Sequence, residues 1–450
     1  MSGSPINAGR GGRCRNDLVP AVGAGLAGNL TAERDPAGGG KKGAPPLCSC
    51  GRVMRWVDFR RRTLTTRAGE VRLVRGYWHC AACGTGCAPD DVVWDLPPGN
   101  ASWGVRDGAS LLGAVLPSFE KTAHLLEDLT LFQVSARSTE SWTEDVGAAY
   151  APPVPTPEAP APAVDLVVIE ADAGNTLWRT DNAWHEQKVY AAWGRRADHD
   201  QPIQYAVAQG PWAIHAPLVT NLAERVGVTT AREVLLLGDG APALWRLLTG
   251  CYPEAFQLLD WYHLMEHLGA VAKLHPDGTP WLATQQEALR FRGPRETLLA
   301  LKALHQRGDT AELRQSAGAC LKYMWRHRQR LNYPEARRRG YPIGSGRIES
   351  AVKQVVQARA KQAGMRWNPV HLQQVLTARC AALNGDWACA CAQTKAAVTR
   401  SASPPPLRLD PPQTARKSMP SRRPSASTRE EPRSLSLKQM GQMVKQAFGF

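Results

Sequence analysis

From residue 164 onward the chain alternates short continuous apolar runs with stretches in which apolar residues recur at helical spacing. The runs at 164–171, 188–193 and 203–208 predict three successive strands, since they are short and rich in Val, Ile, Tyr and Trp. A helix is then predicted over 217–226, a strand over 233–237, a helix over 241–248, a strand over 255–259 and a helix over 262–274. The order β-β-β-α-β-α-β-α predicts an α/β domain whose opening strand is central in the sheet. Residues 276–340 interrupt it with helical, polar and strongly basic sequence. A Gly-Ser-Gly turn at 344–346 returns the chain to a helix whose Ile348, Val352, Val355 and Val356 form an apolar face for the sheet.

Upstream, SFEKTAHLLEDL and STESWTEDVGAAY predict two helices joined by TLFQVSAR, at the spacing of a helix-turn-helix. One reading puts the second helix, from Ser138, in a DNA groove; the other makes the pair a packing hairpin, and Glu140, Glu144 and Asp145 are a poor charge pattern for groove entry. The segment APPVPTPEAPAPA, 151–163, is a semi-rigid linker and a domain boundary. The ends lack sustained periodicity: 1–45 is rich in Gly, Ala and Arg, and 391–450 in Pro, Ser, Arg and Lys, with one short amphipathic piece near 435–448. Both are predicted to be disordered tails.

Composition narrows the class. A chain of 450 residues with 43% hydrophobic content can fold two or three domains, and a net charge of +15 calls for a polyanionic partner or an anionic surface. No apolar run is long enough to span a bilayer, and Pro and Gly interrupt the 18–30 stretch, so neither membrane span nor signal peptide is expected. A cytoplasmic location is expected.

Cysteine spacing adds a metal. Cys48 and Cys50 form CSCG, and Cys80 and Cys83 form CAACG, each pair followed by the Gly that a tight knuckle needs. Four thiolates from two knuckles predict a zinc ribbon over 46–98 holding a structural Zn²⁺, with ordinary reduced thiols as the competing reading. The first pair is one residue short of the usual spacing, so Cys87 or His79 is an alternative ligand. Cys251, Cys320 and Cys380 read as scattered core thiols.

Two carboxylates close predicted strands, Asp172 at the end of VDLVVIEAD and Asp239 at the end of VLLLGDG, and Glu349 lies just inside the helix after the Gly-Ser-Gly turn. Three carboxylates on neighbouring element ends suit two divalent cations bound by hard oxygen ligands, as phosphodiester chemistry requires. Each has a plain alternative: Asp239 as a helix cap, Asp172 at a strand-ending turn, and Glu349 paired with Lys353 at i, i+4. Glu170, two residues before Asp172 on the same side of its strand, is the rival first ligand. His263, in Asp260-Trp261-Tyr262-His263 at a predicted helix start, is a candidate for phosphate contact, proton movement or metal binding, with Asp260 as the cap.

The blocks GDGAPALW, FQLLDWYHLMEHL and GSGRIESAVKQVVQARAKQAGMRW resemble those of ISKra-type insertion-sequence transposases over about residues 48–387. The resemblance implies an RNase H-like catalytic domain over 164–390 with a helical insertion at 276–340, preceded by the zinc-ribbon-like region and a helical region over 99–150. It also implies a DDE mechanism using two Mg²⁺ or Mn²⁺ ions on Asp172, Asp239 and Glu349, with His263 as a weaker catalytic candidate. This chain departs from the family in Asp172-Ala173-Gly174, where an Asp-Gly pair is usual, and in its short first knuckle.

The expected substrate is double-stranded DNA, both element ends and target, cut and joined by a homo-oligomer that synapses two ends. Lys322, Arg326, Arg328 and Arg330 lead to a basic track at Arg337, Arg338, Arg339, Arg347, Lys353, Arg359, Lys361 and Arg366, predicted to bind phosphates. Trp178, Trp184, Trp193, Trp245 and Trp261 fit core packing better than base stacking. Two other functions share these residues: a nuclease or resolvase on the same fold, and a DNA-binding remnant without turnover.

Overall fold

The structure, a computed structural model, describes residues 45–130, 132–153, 164–197 and 199–401. Residues 154–163 of the predicted linker and most of the two predicted tails lie outside these residues. The described chain is mixed α/β, and a six-stranded mixed sheet organises most of it.

A separate three-stranded antiparallel sheet comes first, β1 (Arg55–Thr66), β2 (Gly69–His79) and β3 (Gly86–Cys87). The main sheet holds β4 (Val164–Leu177), β5 (Trp184–Arg196), β6 (His199–Asp200), β7 (Gln204–Ala208), β8 (Ala231–Gly238) and β9 (Phe256–Leu259). β4 pairs antiparallel with β5 and parallel with β8; β7 lies antiparallel on β5, and β9 parallel on β8. β4 is therefore central, and its run Val164–Ala171 is almost wholly buried because both faces are covered.

Alternation along β4 sorts the two layers. Val167, Ile169 and Ala171 face the helices Ala216–Arg225 and Pro242–Cys251, whereas Leu166 and Val168 face a core shared with Trp261–Ala272 and the insertion. The insertion is helical as predicted, with helices Gly278–Phe291, Arg295–Arg307, Ala311–Arg326 and Tyr333–Arg338. The helix after the Gly-Ser-Gly turn, Gly346–Val352, runs through a π segment at Lys353–Gln357 into Ala358–Ala360. Ile348, Val352, Val355 and Val356 pack on Val189, Ala191 and Val207, the face expected for them. Gly174 permits the approach, since a Cβ there would stand 3.0 Å from Val352 Cγ1.

The N-terminal helices differ from expectation. Trp103–Val115, inside the region expected to be helical but not delineated there, precedes Phe119–Leu129 and Ala136–Ala149. The helix read as a groove-entering element is packed instead: Thr139, Thr143, Val146 and Gly147 are buried, and a Cβ on Gly147 would meet the Gln374 carbonyl oxygen at 1.7 Å. Its neighbour there, Pro369–Leu383, belongs to the region assigned to catalysis. Two buried arginines bolt the layers together. Arg359 donates to the carbonyls of Gly113 and Pro117, and Arg379 to those of Ala114 and Val115, which satisfies the end of Trp103–Val115. The helix Trp387–Ser401 also runs past the predicted domain end at 390, and Ala390 packs with Val146.

Candidate functional site

The ends of β4 and β8 place the two aspartates side by side. Ala171 is in register with Gly238, so Asp172 and Asp239 follow on adjacent parallel strands. By alternation Asp239 lies on the face of Leu235 and Leu237, and Asp172 on that of Leu166 and Val168, which is one common side of the sheet. Local bonds hold both carboxylates: Asp172 Oδ1 accepts from the Ala173 amide at 2.7 Å, and Asp239 Oδ1 from the Ala241 amide at 2.9 Å. The Asp239 carbonyl also accepts from Trp245 Nε1 at 2.5 Å, which ties the loop to the next helix.

Glu349 comes to the same side from the helix Gly346–Val352. Burial raises the Asp172 pKa first, and the negative fields of Asp239 and Glu349 raise it further; the Ala173 amide and His263 oppose them. Asp239 and Glu349 thus both bear on Asp172. They are more open than the cysteine cluster: among the described residues, the cysteines form the group whose ligand atoms all lie within 4.8 Å of one another. Glu349 also stands 4.0 Å from Lys353 Nζ, the plain helical pairing at its outer limit, with both side chains substantially exposed.

Asp260 joins two segments of the site. It is fully buried, and its Oδ2 accepts from the His263 amide at 2.9 Å and from His263 Nδ1 at 2.7 Å. Its Oδ1 accepts from the Ser345 amide at 2.6 Å, and the Trp261 amide donates to the Ile343 carbonyl at 3.0 Å. The helix-capping expectation for Asp260 holds, and the same carboxylate also grips the Gly-Ser-Gly turn, a contact between segments 85 residues apart that no local pattern signals. Bonded to Asp260 and lying in the fields of Asp239 and Asp172, His263 is raised to about 9 against the cost of burial, so it is cationic at neutral pH.

Glu170 lies beneath this surface, fully buried, with no partner of ordinary hydrogen-bond geometry for either oxygen. Burial pushes it up to about 8, aided by Asp260 and opposed by Arg347 and a weak pull from the Ile348 amide. It is therefore protonated at neutral pH, which makes Asp172 the better ionised ligand. Tyr323, which periodicity alone did not single out, forms the insertion's side of the site. Its ring stacks on His267 at 3.9 Å, and a Cβ on Gly240 would meet it at 2.4 Å, so the Gly-Asp-Gly loop carries glycine where the insertion presses on it.

The predicted DNA track divides. Arg337, Lys353, Lys361 and Arg366 are exposed. Arg338 and Arg339 already bind Glu335, Arg339 also binds Glu233, and Arg347 pairs with Asp200 and lies over the Trp193 ring at 3.8 Å. Arg359 is the clear correction: at 1% exposure it serves the helix end described above and has no surface for phosphate. Trp193, Trp245 and Trp261 are core residues, as preferred, whereas Trp184 is 59% exposed.

At the other end of the chain, Cys48 Sγ lies 3.4 Å from Cys83 Sγ, and Cys50 Sγ 3.6 Å from Cys80 Sγ. The two pairs interleave around one point, so the four thiolates can hold one metal such as zinc despite the short first knuckle. Cys87 instead faces Met54 Sδ at 3.6 Å, and His79 is exposed, so neither alternative ligand is required. No family model and no curated protein matches this chain.

Proposed function

We propose that the chain is a DDE transposase of the ISKra type, cutting and joining double-stranded DNA at element ends through an RNase H-like catalytic unit. The observation that carries this reading is the placement of Asp172, Asp239 and Glu349 on one side of the sheet, where Asp239 and Glu349 both bear on Asp172. The strand order supports it: three antiparallel strands with the first of them central, then two parallel additions beside it, is the arrangement of an RNase H-like sheet.

The residues fit a divalent cation, because the donor set is all oxygen and its like charges disfavour one another unless a cation lies among them. Asp172, Asp239 and Glu349 would hold Mg²⁺ or Mn²⁺, which supplies activation of the attacking oxygen and stabilisation of the leaving one. The chain's own residues do the rest. Cationic His263, fixed by Asp260, can donate to a nonbridging phosphate oxygen, and exposed Lys353, Lys361 and Arg366 neutralise flanking phosphates. In the first reaction water adds to phosphorus and the bond to the 3′ oxygen breaks, releasing a 3′-hydroxyl and a 5′ phosphate. That hydroxyl then attacks a target phosphodiester, forming a new bond to phosphorus as the bond to the target's own 3′ oxygen breaks; that oxygen leaves as a hydroxyl with the proton given up by the attacking one. A homo-oligomer would hold two ends together.

The test is cleavage of terminal-repeat duplex in Mg²⁺ or Mn²⁺. Asp239→Asn and Glu349→Gln each lower cleavage by at least about a hundredfold, roughly the 3 kcal/mol or more expected for loss of a metal-binding carboxylate, while binding and melting persist. Undiminished cleavage by either purified variant would reject the assignment. Products joined to target DNA separate this reading from a nuclease or resolvase.

A further inference from the structure

Residues 52–79 carry eight arginines, Arg52, Arg55, Arg60, Arg61, Arg62, Arg67, Arg72 and Arg75, against two carboxylates, Asp58 and Glu70. The ladder between β1 and β2 sorts this charge by face. Asp58 opposite Tyr77, Arg60 opposite Arg75 and Arg62 opposite Leu73 share one side, and their charges are satisfied there. Arg60 bonds Asp58 and lies 3.4 Å over Tyr77, Arg75 binds Asp91, and Arg62 donates to the carbonyls of Pro97 and Gly99.

The opposite side has no such arrangement. Phe59 faces Gly76, Arg61 faces Val74, and Thr63 faces Arg72. Gly76 offers no side chain to cover Phe59, which remains 56% exposed. Arg61 and Arg72 sit on diagonal positions of one face, about 7–8 Å apart, both exposed. Among the described residues neither makes an ion pair, and Glu70, which shares the face opposite Thr65, makes none either. Like charges held by a rigid ladder repel unless an anion lies across them.

The position of this ribbon adds a second argument. Its turn end docks on the helix Trp103–Val115, where the Ser102 amide donates to the Thr65 carbonyl at 2.9 Å and Arg67 Nε to the Gly104 carbonyl at 3.0 Å. The cysteine cluster lies at the other end, beyond Arg55 and His79. Eleven paired positions separate the two, roughly 35 Å at strand rise. We propose that this outer face of β1 and β2 is a duplex-DNA-binding surface, with Arg61 and Arg72 on phosphates and Phe59 against the groove edge. A two-stranded ribbon fits the major groove, and phosphate contact needs no sequence. The proposal deepens the transposase reading and rests on its DNA substrate; the surface would hold DNA away from the carboxylates.

The test uses the full chain and a labelled random-sequence duplex, with binding followed by anisotropy across a KCl series. Arg61→Ala/Arg72→Ala weakens binding about tenfold or more and lowers the slope of log K against log salt by about two; Phe59→Ala weakens binding with the slope unchanged. Arg60→Ala, on the satisfied face, retains wild-type binding. Equal affinity and slope in the double variant, the same loss from Arg60→Ala, or tighter variant-sensitive binding of single-stranded RNA would each overturn the proposal. The catalytic reading is scored separately: if Glu349→Gln abolishes cleavage while the double variant binds as wild type, only the surface assignment falls. If the double variant loses binding and the wild type never cleaves, only the catalytic reading falls.

Discussion

Asp260 has no exposure, accepts three hydrogen bonds, and spans 85 residues of sequence to reach the Ser345 amide. Removing it strands buried donors at a helix start and at the turn before Glu349. Asp260→Ala should therefore cost about 3 kcal/mol in urea unfolding, more than an ordinary lost cap. The pair also makes stability depend on pH. His263 is raised from 6.5 to about 9 in the folded chain, so its contribution is complete below pH 6.5 and is lost as pH rises through 9. Asp260 is held below its ordinary value mainly by His263 and the Ser345 amide against burial, so its contribution is present above pH 3.8 and is lost at lower pH. His263 is about a third exposed, and screening reduces its share to about 1–2 kcal/mol. Urea titrations in buffer without Mg²⁺ or Mn²⁺ should show the wild type losing at least that amount between pH 6.5 and 9.5. Buried Glu170, raised to about 8, adds a decline up to that pH which both proteins share. His263→Gln should therefore lose less than the wild type by the His263 share over the same window, and equal losses in both would reject the pairing as the source.

At the scale of elements, helix contacts give the sharpest expectations. Gly147 lies where two helices cross so closely that an added methyl meets backbone, which can yield only by separating them. Gly250, near the end of Pro242–Cys251, has open space and a helical backbone. Gly147→Ala should lose about 2–3 kcal/mol, and Gly250→Ala should be neutral or gain about 0.5 kcal/mol, measured as urea midpoints. Equal effects would mean that propensity rather than the crossing sets the cost. The strands and helices from 164 to 274 were legible because buried β4 and β8 require unbroken apolar runs and the helices between them require one apolar stripe. The extension of β4 to Leu177 and β5 back to Trp184 was not, because NTLWRTDNAWHE is polar and its pairing is supported from outside, with the Trp367 amide bonding the Leu177 carbonyl. Arg359 was misread for a related reason. Its chemistry says surface, and only the carbonyls of a helix more than two hundred residues away turn it inward. The aspartates could be found at strand ends, whereas Tyr323 depends on how the insertion folds back onto Gly240.

At the scale of the whole molecule, two of the buried clusters among the described residues contrast sharply in size. One surrounds the six-stranded sheet and extends through the insertion; the other consists of Cys48, Met54, Trp78 and Cys80 with Trp56 and Cys87 packed against them. The small core shares no residue with the large one, and its sheet is fixed to the rest chiefly at the turn end of β1 and β2. So little apolar surface contributes little order at the ribbon's tip, and a metal such as zinc on the four thiolates can supply the remainder. One zinc per chain should therefore be found by elemental analysis of the purified protein, and Cys48→Ser/Cys80→Ser should lose it. Because the large core does not depend on that metal, its main calorimetric transition should shift by no more than about 2 °C in the double variant. Amide exchange across β1 and β2 near Arg55 and His79 should rise at the same time, while β4 and β8 stay protected. Collapse of the main transition would show that the ribbon is integral to the large core, and full zinc content in the variant would exclude the four-thiolate site.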